Sequence, residues 1–377
     1  MPVYRAPGTY VEEVSPRHKR IEGVSTTTTA FVGPTLQGPE TNTPPLLTSF
    51  HHFERHYGGL GDIDPGNGQP PATNHVAHAA RVFFTEGGKR LYIARTPTGD
   101  DSPARYEEAL AATETLADIA TVAAPGNTTL AVARALMAHA TRPGLWRFAV
   151  LDAPLAATLD EVREHRRALD SPFAALYHPW VVSADPGGQG SATRTLPPSG
   201  FVCGIYARSD VERGVHKAPA NEVVRSALRF ERDIREQEQS VLNPEGINCL
   251  RFLEGRGMRV WGARTLGRDP EWTYVNTRRC ASYLQASIER GTRWAAFEPN
   301  GEPLWARATQ AISDFLHDAW RNGALRGDQP AQAFFVRCDR STMTQNDIDN
   351  GRMVCLIGVA ILKPAEFVIF RVVQTTA

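Results

Sequence analysis

No surplus of charge marks this sequence: 41 Lys and Arg balance 41 Asp and Glu over 377 residues. A nucleic-acid binder usually needs a basic excess or patch, so that class is not expected. Zero net charge suits a protein that packs densely against copies of itself, because net repulsion is low. Cysteine is scarce as well. Cys203, Cys249, Cys280, Cys338 and Cys355 lie far apart and form no CxxC pair. An odd count in a chain of this size indicates reduced thiols and synthesis in a reducing cytoplasm. An apolar signal core is missing, since Arg5, Glu12, Glu13, Arg17, Lys19 and Arg20 interrupt the N-terminal stretch. The longest uncharged apolar run, Met353 to Leu362, is half the ~20 residues that a membrane helix needs. Neither secretion by a signal peptide nor membrane insertion is expected.

Motifs for chemistry are equally sparse. The glycine-rich stretch Pro186-Gly187-Gly188-Gln189-Gly190-Ser191 lacks the following Lys-Ser/Thr or GxGxxG helix entry of a phosphate cradle. Leu196-Pro197-Pro198 then keeps a helix from starting directly, so a flexible surface loop is expected. No Gly-x-Ser-x-Gly or comparable nucleophile turn with a His partner stands out. His51, His52, His56, His75 and His78 cluster in sequence, and His52 and His56 could share a helix face and ligate zinc. No Cys or carboxylate completes a recognisable spacing. Asp152 and Asp185 follow strand-like runs, where an open parallel sheet binds ligands. On adjacent strand ends they could hold a metal or act as an acid–base pair. The plainer alternative is a turn or helix-start role before Ala-Pro and Pro-Gly. No catalytic residue, metal or cofactor is assigned.

What the sequence does have is a rhythm. Helix-like and strand-like stretches alternate: helix 106–116, strand 119–123, helix 128–140, strand 147–151, helix 159–169, strand 174–182, helix 201–212. Such alternation argues a parallel sheet with helices on its faces. Upstream, the Pro- and Gly-rich stretch to Gly68 is expected to be loop, then a helix over 73–84 and a strand over 91–95. Residues 221–254 are mixed. Residues 1–20 form an extended arm, broken by Pro2, Pro7 and Pro16, with strand propensity in Thr9-Tyr10-Val11-Glu12-Glu13-Val14. The arm is too short to build a sheet and must add to one made elsewhere, in its own subunit or another.

The last third has its own pattern. Asn300 or Gly301 can start a helix, and Pro303 suits its first turn. Leu304, Ala308, Ile312, Phe315, Leu316 and Ala319 recur at three- and four-residue steps, and Asn322-Gly323 ends the run. Strand-like runs follow at 334–338, 353–361 and 366–373. A helix and three strands make an α+β layer.

Several strings in this chain resemble the contractile-tail sheath proteins of phage tails and phage-like injection particles. They are Val260-Trp261-Gly262-Ala263-Arg264-Thr265-Leu266, Phe297-Glu298-Pro299-Asn300-Gly301-Glu302-Pro303-Leu304-Trp305 and Leu362-Lys363-Pro364-Ala365-Glu366-Phe367-Val368-Ile369-Phe370-Arg371. Pro7-Gly8-Thr9-Tyr10-Val11-Glu12-Glu13-Val14 resembles the family's opening strand. The likeness is weakest between about residues 100 and 200.

The resemblance implies an α+β inner domain built from residues 1–20 and 263–377, with strand-exchanging N- and C-terminal arms. It implies an α/β outer domain, residues 21–262, with a largely parallel sheet. The subunit would be structural, not enzymatic. It would polymerise as a six-start helix around an inner tube protein and contract to drive that tube through a target envelope. Tyr10, Val11, Glu12 and Val14, and Phe367, Val368, Ile369 and Phe370, would be the inter-subunit strands. Arg307, Gln310, Asp314, Asp318 and Arg321 would face the tube. Other partners would be neighbouring sheath subunits and baseplate and terminal cap proteins. Assembly would take place in the bacterial cytoplasm, in a phage tail or a released tail-like particle. Two alternatives remain: a Rossmann-like cytoplasmic enzyme, on the alternation alone, and a baseplate or adaptor protein with the same inner domain.

Overall fold

The computed structural model describes residues 20–40, 43–64, 66, 70–187 and 192–366. Its first half runs β1 (Thr28–Pro34), α1 (Phe50–Tyr57), α2 (His75–Glu86), β2 (Leu91–Thr96), α3 (Pro103–Ala111), β3 (Ile119–Ala123), α4 (Leu130–Ala140), β4 (Phe148–Asp152), α5 (Leu159–Arg167) and β5 (Ala174–His178). Next come β6 (Val181–Ala184), β7 (Thr193–Leu196), α6 (Pro198–Arg213), β8 (Glu222–Val223), β9 (Arg229–Phe230), α7 (Glu236–Leu242), β10 (Ile247–Leu253) and β11 (Gly257–Val260). The last third holds α8 (Val275–Gly291), α9 (Glu302–Arg321), α10 (Pro330–Ala333), β12 (Phe334–Arg337), α11 (Gln345–Asp349) and β13 (Leu356–Val359).

The alternation builds one sheet in the order β2-β1-β3-β4-β5-β10-β11-β8. The first six strands are parallel, and the last two pairings are antiparallel. Period-two sidedness is visible in the core. Phe31, Leu91, Ile93, Phe148, Val150 and Tyr177 point into one apolar cluster, with α1, α2 and α6. Their chain neighbours Ala30, Val32, Tyr92, Ala149, Leu151 and Leu176 point into a second, with α3, α4 and α5. Burial on both faces is what makes a parallel strand read as a continuous apolar run. On the first face α2 and α6 pack closely because Gly200 and Gly204 have no Cβ; one would lie 2.7 Å from the Ala79 Cα and 2.6 Å from the Phe83 carbonyl oxygen.

Three local expectations are corrected. The stretch before Gly68 contains α1, whose N-cap Ser49 accepts from the His52 N–H. The strand expected over 174–182 is two strands. It breaks at Pro179, which has no N–H to give, and β6 joins a separate sheet of order β7-β6-β9. The Pro197-Pro198 pair does not hold back the next helix; Pro198 opens α6, where a missing N–H costs nothing.

No strand after Val260 enters the large sheet among the described residues. α8 and α9 make their own core from Cys280, Leu284, Ile312, Phe315 and Leu316, closed by Ile21 and Val215. Phe334, Val336 and Ile357 of β12 and β13 pack against that core.

Candidate functional site

The residues with potential chemistry are occupied structurally. Asp152 is buried at the end of β4. It accepts from the Ser199 N–H and hydroxyl, each at 2.7 Å, and from the Gly126 N–H at 3.1 Å. Ser199 is in the first turn of α6, whose N-cap Pro197 offers no side-chain oxygen. Asp152 therefore caps that helix from another strand. Asp185 is not on an adjacent strand end: it follows β6 in the smaller sheet, where Arg194 Nε donates to it at 2.9 Å. The two carboxylates form no acid–base pair. The histidines also separate. His51, His52 and His56 are exposed on α1, whereas His78 is buried on α2, and burial lowers the pKa of His75 and of His78 to about 4. No group of three His, Cys, Asp or Glu able to hold a metal occurs among the described residues. Residues 188–191 of the glycine-rich stretch lie outside the described residues.

Burial raises the Asp152 pKa to about 6 despite its three donors. A folded value above the unfolded one means that protonation favours the fold; this contribution is present at low pH and lost as pH rises through about 6. The stability of wild type relative to Asp152→Asn should therefore rise by on the order of 2 kcal/mol from pH 7 to pH 4. Urea unfolding midpoints of the two proteins measure it, and a pH-independent difference refutes it.

The remaining surface is built around α9. Its foreseen apolar positions, Leu304, Ala308, Ile312, Phe315, Leu316 and Ala319, are all buried. Arg307, Gln310, Asp314 and Arg321 are exposed and Asp318 is half-exposed. This outer face is largely self-neutralised. Arg307 bonds Glu298 at 2.7 Å and lies over the Trp294 ring, Gln310 donates to Asp314 at 2.6 Å, and Arg20 bonds Asp318 at 2.8 Å.

The first and last described segments are both anchored to this half. Residues 20–24 run along α8: the Val24 N–H donates to Ser287 Oγ at 3.1 Å, Gly23 packs against the hydroxyl end of Tyr283, and Arg20 reaches α9. At the other end, residues 362–366 follow a cleft of about 1170 Å³ beside Trp261 and Tyr274. Glu366 is clamped there. Arg264 donates to its two oxygens at 2.8 and 2.6 Å, Asn243 at 2.8 Å and Tyr274 at 3.0 Å. Burial pushes the Glu366 carboxyl up, but these donors outweigh it and hold its pKa below the usual value. Sequence reasoning missed the clamp, because no spacing links Asn243, Arg264, Tyr274 and Glu366. Tyr10, Val11, Glu12 and Val14, and Phe367, Val368, Ile369 and Phe370, lie outside the described residues.

Between those exits is a small sheet. Among the described residues β12 and β13 pair only with each other, Phe334 opposite Val359 through Arg337 opposite Leu356. Phe335 and Leu356, on the face away from α9, are 50% and 52% exposed. Two strands alone are marginal in water, and among the described residues each has an edge with no strand partner. The described outline is a parallel-sheet body joined to a small helix-backed sheet.

The comparisons give this outline a family. The chain matches the phage tail sheath protein central domain over residues 100–266 and the phage tail sheath C-terminal domain over residues 268–375. It is 30% identical to the sheath of an extracellular contractile injection system, PVC, in the contracted state, with a TM-score of 0.81 over 100% of this chain and 99% of that one. The helical sheath of the anti-feeding prophage, also contracted, is 29% identical with a TM-score of 0.79 over 99% and 100%. The tail sheath protein of Escherichia phage P2 is 26% identical over 207 residues, 53% of this chain and 51% of that protein. The alignments span about half the length, or less, of the curated relatives. The chain belongs to the contractile tail sheath family.

Proposed function

We propose that this protein is the structural subunit of a contractile sheath. It polymerises helically around an inner tube, and its contraction drives the tube through a target envelope. The observation that carries this is similarity over 99–100% of the chain to two sheaths in the contracted state, at TM-scores of 0.81 and 0.79 and 30% and 29% identity. The helical lattice grows through heterologous, non-closing contacts. Residues 21–262 form the outer domain; residues 1–20 and 263–377 form the inner one. The arms, at Tyr10 to Val14 and Phe367 to Phe370, add strands to the inner sheets of neighbours. The open β12–β13 pair and the two exits beside α8 and at Glu366 support that reading. Contraction uses no fuel molecule. It needs two lattice packings, the extended one metastable. Assembly is in the bacterial cytoplasm, and baseplate and cap proteins bound the polymer. Negative-stain microscopy of the purified protein tests the proposal: tubes or cogwheel-like polymers are expected, and a small closed oligomer would overturn it. Copy number in isolated particles separates it from a baseplate adaptor.

The outer face of α9 is the proposed tube contact. Arg307→Glu with Arg321→Glu should weaken tube-templated assembly in a salt-sensitive way. Both side chains are exposed, so folding stability should change by less than ~1 kcal/mol. If the double variant coats tubes like wild type at every salt concentration, that face is only solvated.

A further inference from the structure

Two of the five cysteines meet across the inner sheet. β12 and β13 are antiparallel with Arg337 opposite Leu356, and one more step of that register sets Cys338 opposite Cys355. Alternate residues of a strand share a face, so both thiols lie on the side of Phe334, Val336 and Ile357. That side packs under the first turn of α9, where Cys338 and Cys355 join Leu304, Trp305 and Met343 in one apolar cluster. Directly opposed residues of antiparallel strands have Cα atoms about 4.5–5.5 Å apart, inside the span a disulfide bridges. Cys203, Cys249 and Cys280 are buried in three other clusters and have no such partner.

We propose that Cys338 and Cys355 are a redox pair that closes to a cross-strand disulfide when the protein meets a low-molecular-weight disulfide. Cys355 is the attacking thiol. It is the more exposed of the two, and the Cys338 S–H donates to its sulfur. Burial raises both thiols, Cys338 to about 12; the hydrogen bond raises Cys338 further but lowers Cys355. The Cys355 thiolate attacks one sulfur of oxidised glutathione, the S–S bond breaks, and one glutathione leaves as a thiolate that takes up a proton. Cys338 then loses its proton and attacks the Cys355 sulfur, expelling the second glutathione, which is protonated in turn. Two cysteines are oxidised by two electrons, and the glutathione disulfide is reduced to two thiols. The new bond ties β12 to β13 and closes the segment 339–354, which carries α11. A subunit made reduced in a cytoplasm would gain this tie in an oxidising medium.

The wild-type protein carries the test. It is incubated with oxidised glutathione, alkylated, digested and mapped by mass spectrometry without reduction. A single linked peptide joining Cys338 to Cys355 is expected, with Cys203, Cys249 and Cys280 alkylated only after denaturation. Trypsin cleavage at exposed Arg340 or Arg352 should then leave two fragments joined until a reductant is added. Cys338→Ser should stop at a glutathione adduct on Cys355, and Cys355→Ser should leave Cys338 unmodified. The proposal is overturned if all five thiols stay free in wild type, or if glutathione remains on Cys355 with Cys338 intact.

Discussion

Deletion of residues 2–14 yields a folded, soluble protein that forms no tubes. The expectation follows from where the chain is complete and where it is not. Among the described residues, the large sheet and the α8–α9 core are built from Ile21 onward. The β12–β13 pair, by contrast, has no third strand among the described residues. An added strand supplies several backbone hydrogen bonds at ~0.5–1.5 kcal/mol net each, plus the burial of Tyr10, Val11 and Val14. One such link is modest, but a lattice repeats it in every subunit. Removing residues 367–377 should act in the same way, because the Glu366 clamp remains. Val11→Pro should mimic the first deletion by removing a donor and bending the strand. Electron microscopy and circular dichroism read the two halves of the expectation. Normal tubes from either truncated protein would contradict strand addition, and loss of the folded spectrum would show that the arm is needed within its own subunit.

The parallel sheet was legible because its signal is local. β3 runs over Ile119–Ala123, the same five residues that the apolar run marks, and α9 starts and stops where Pro303 and Gly323 put it. α1 was hidden by its composition, since only Phe53 and Tyr57 of its eight residues are buried. α8 escaped for the opposite reason. Its buried side includes Asn276, Thr277, Arg278, Arg279 and Ser287, so no apolar stripe reveals it. The role of Asp152 was half-visible. Its position at a strand end could be read, but the helix it caps begins 46 residues later, and only the fold brings Ser199 to it. The Glu366 clamp was invisible for the same reason: an ion pair across 102 residues has no periodicity to find.

The largest single-residue effect should come from α8. Arg279 is bidentate to Asp210 of α6, at 3.0 and 2.7 Å, and also donates to the Thr26 carbonyl at 3.0 Å. Its guanidinium lies 4.6 Å from the centre of the Tyr206 ring. The two side chains are 3% and 1% exposed. One residue thus joins the sheet-bearing half, the segment that leads to the N-terminal arm and the α8–α9 half. Asp210→Ala leaves a buried cation without its counter-ion, and Arg279→Met leaves a buried anion without its own. Each should cost about 3–5 kcal/mol. That is a large part of the 5–15 kcal/mol that ordinarily separates native from unfolded protein. Combining Arg279→Met with Asp210→Leu removes both charges, and an apolar pair of similar volume is often neutral or better than the ion pair it replaces. The double variant should therefore unfold at a higher urea concentration than either single variant. Reading these midpoints on the unpolymerised subunit separates folding from lattice contacts. If the losses simply add in the double variant, Arg279 and Asp210 stabilise the protein independently and the junction lies elsewhere. If the double variant recovers its midpoint but its tubes no longer contract, the pair serves orientation between the halves more than stability, because the apolar replacement keeps the packing and loses the bidentate geometry.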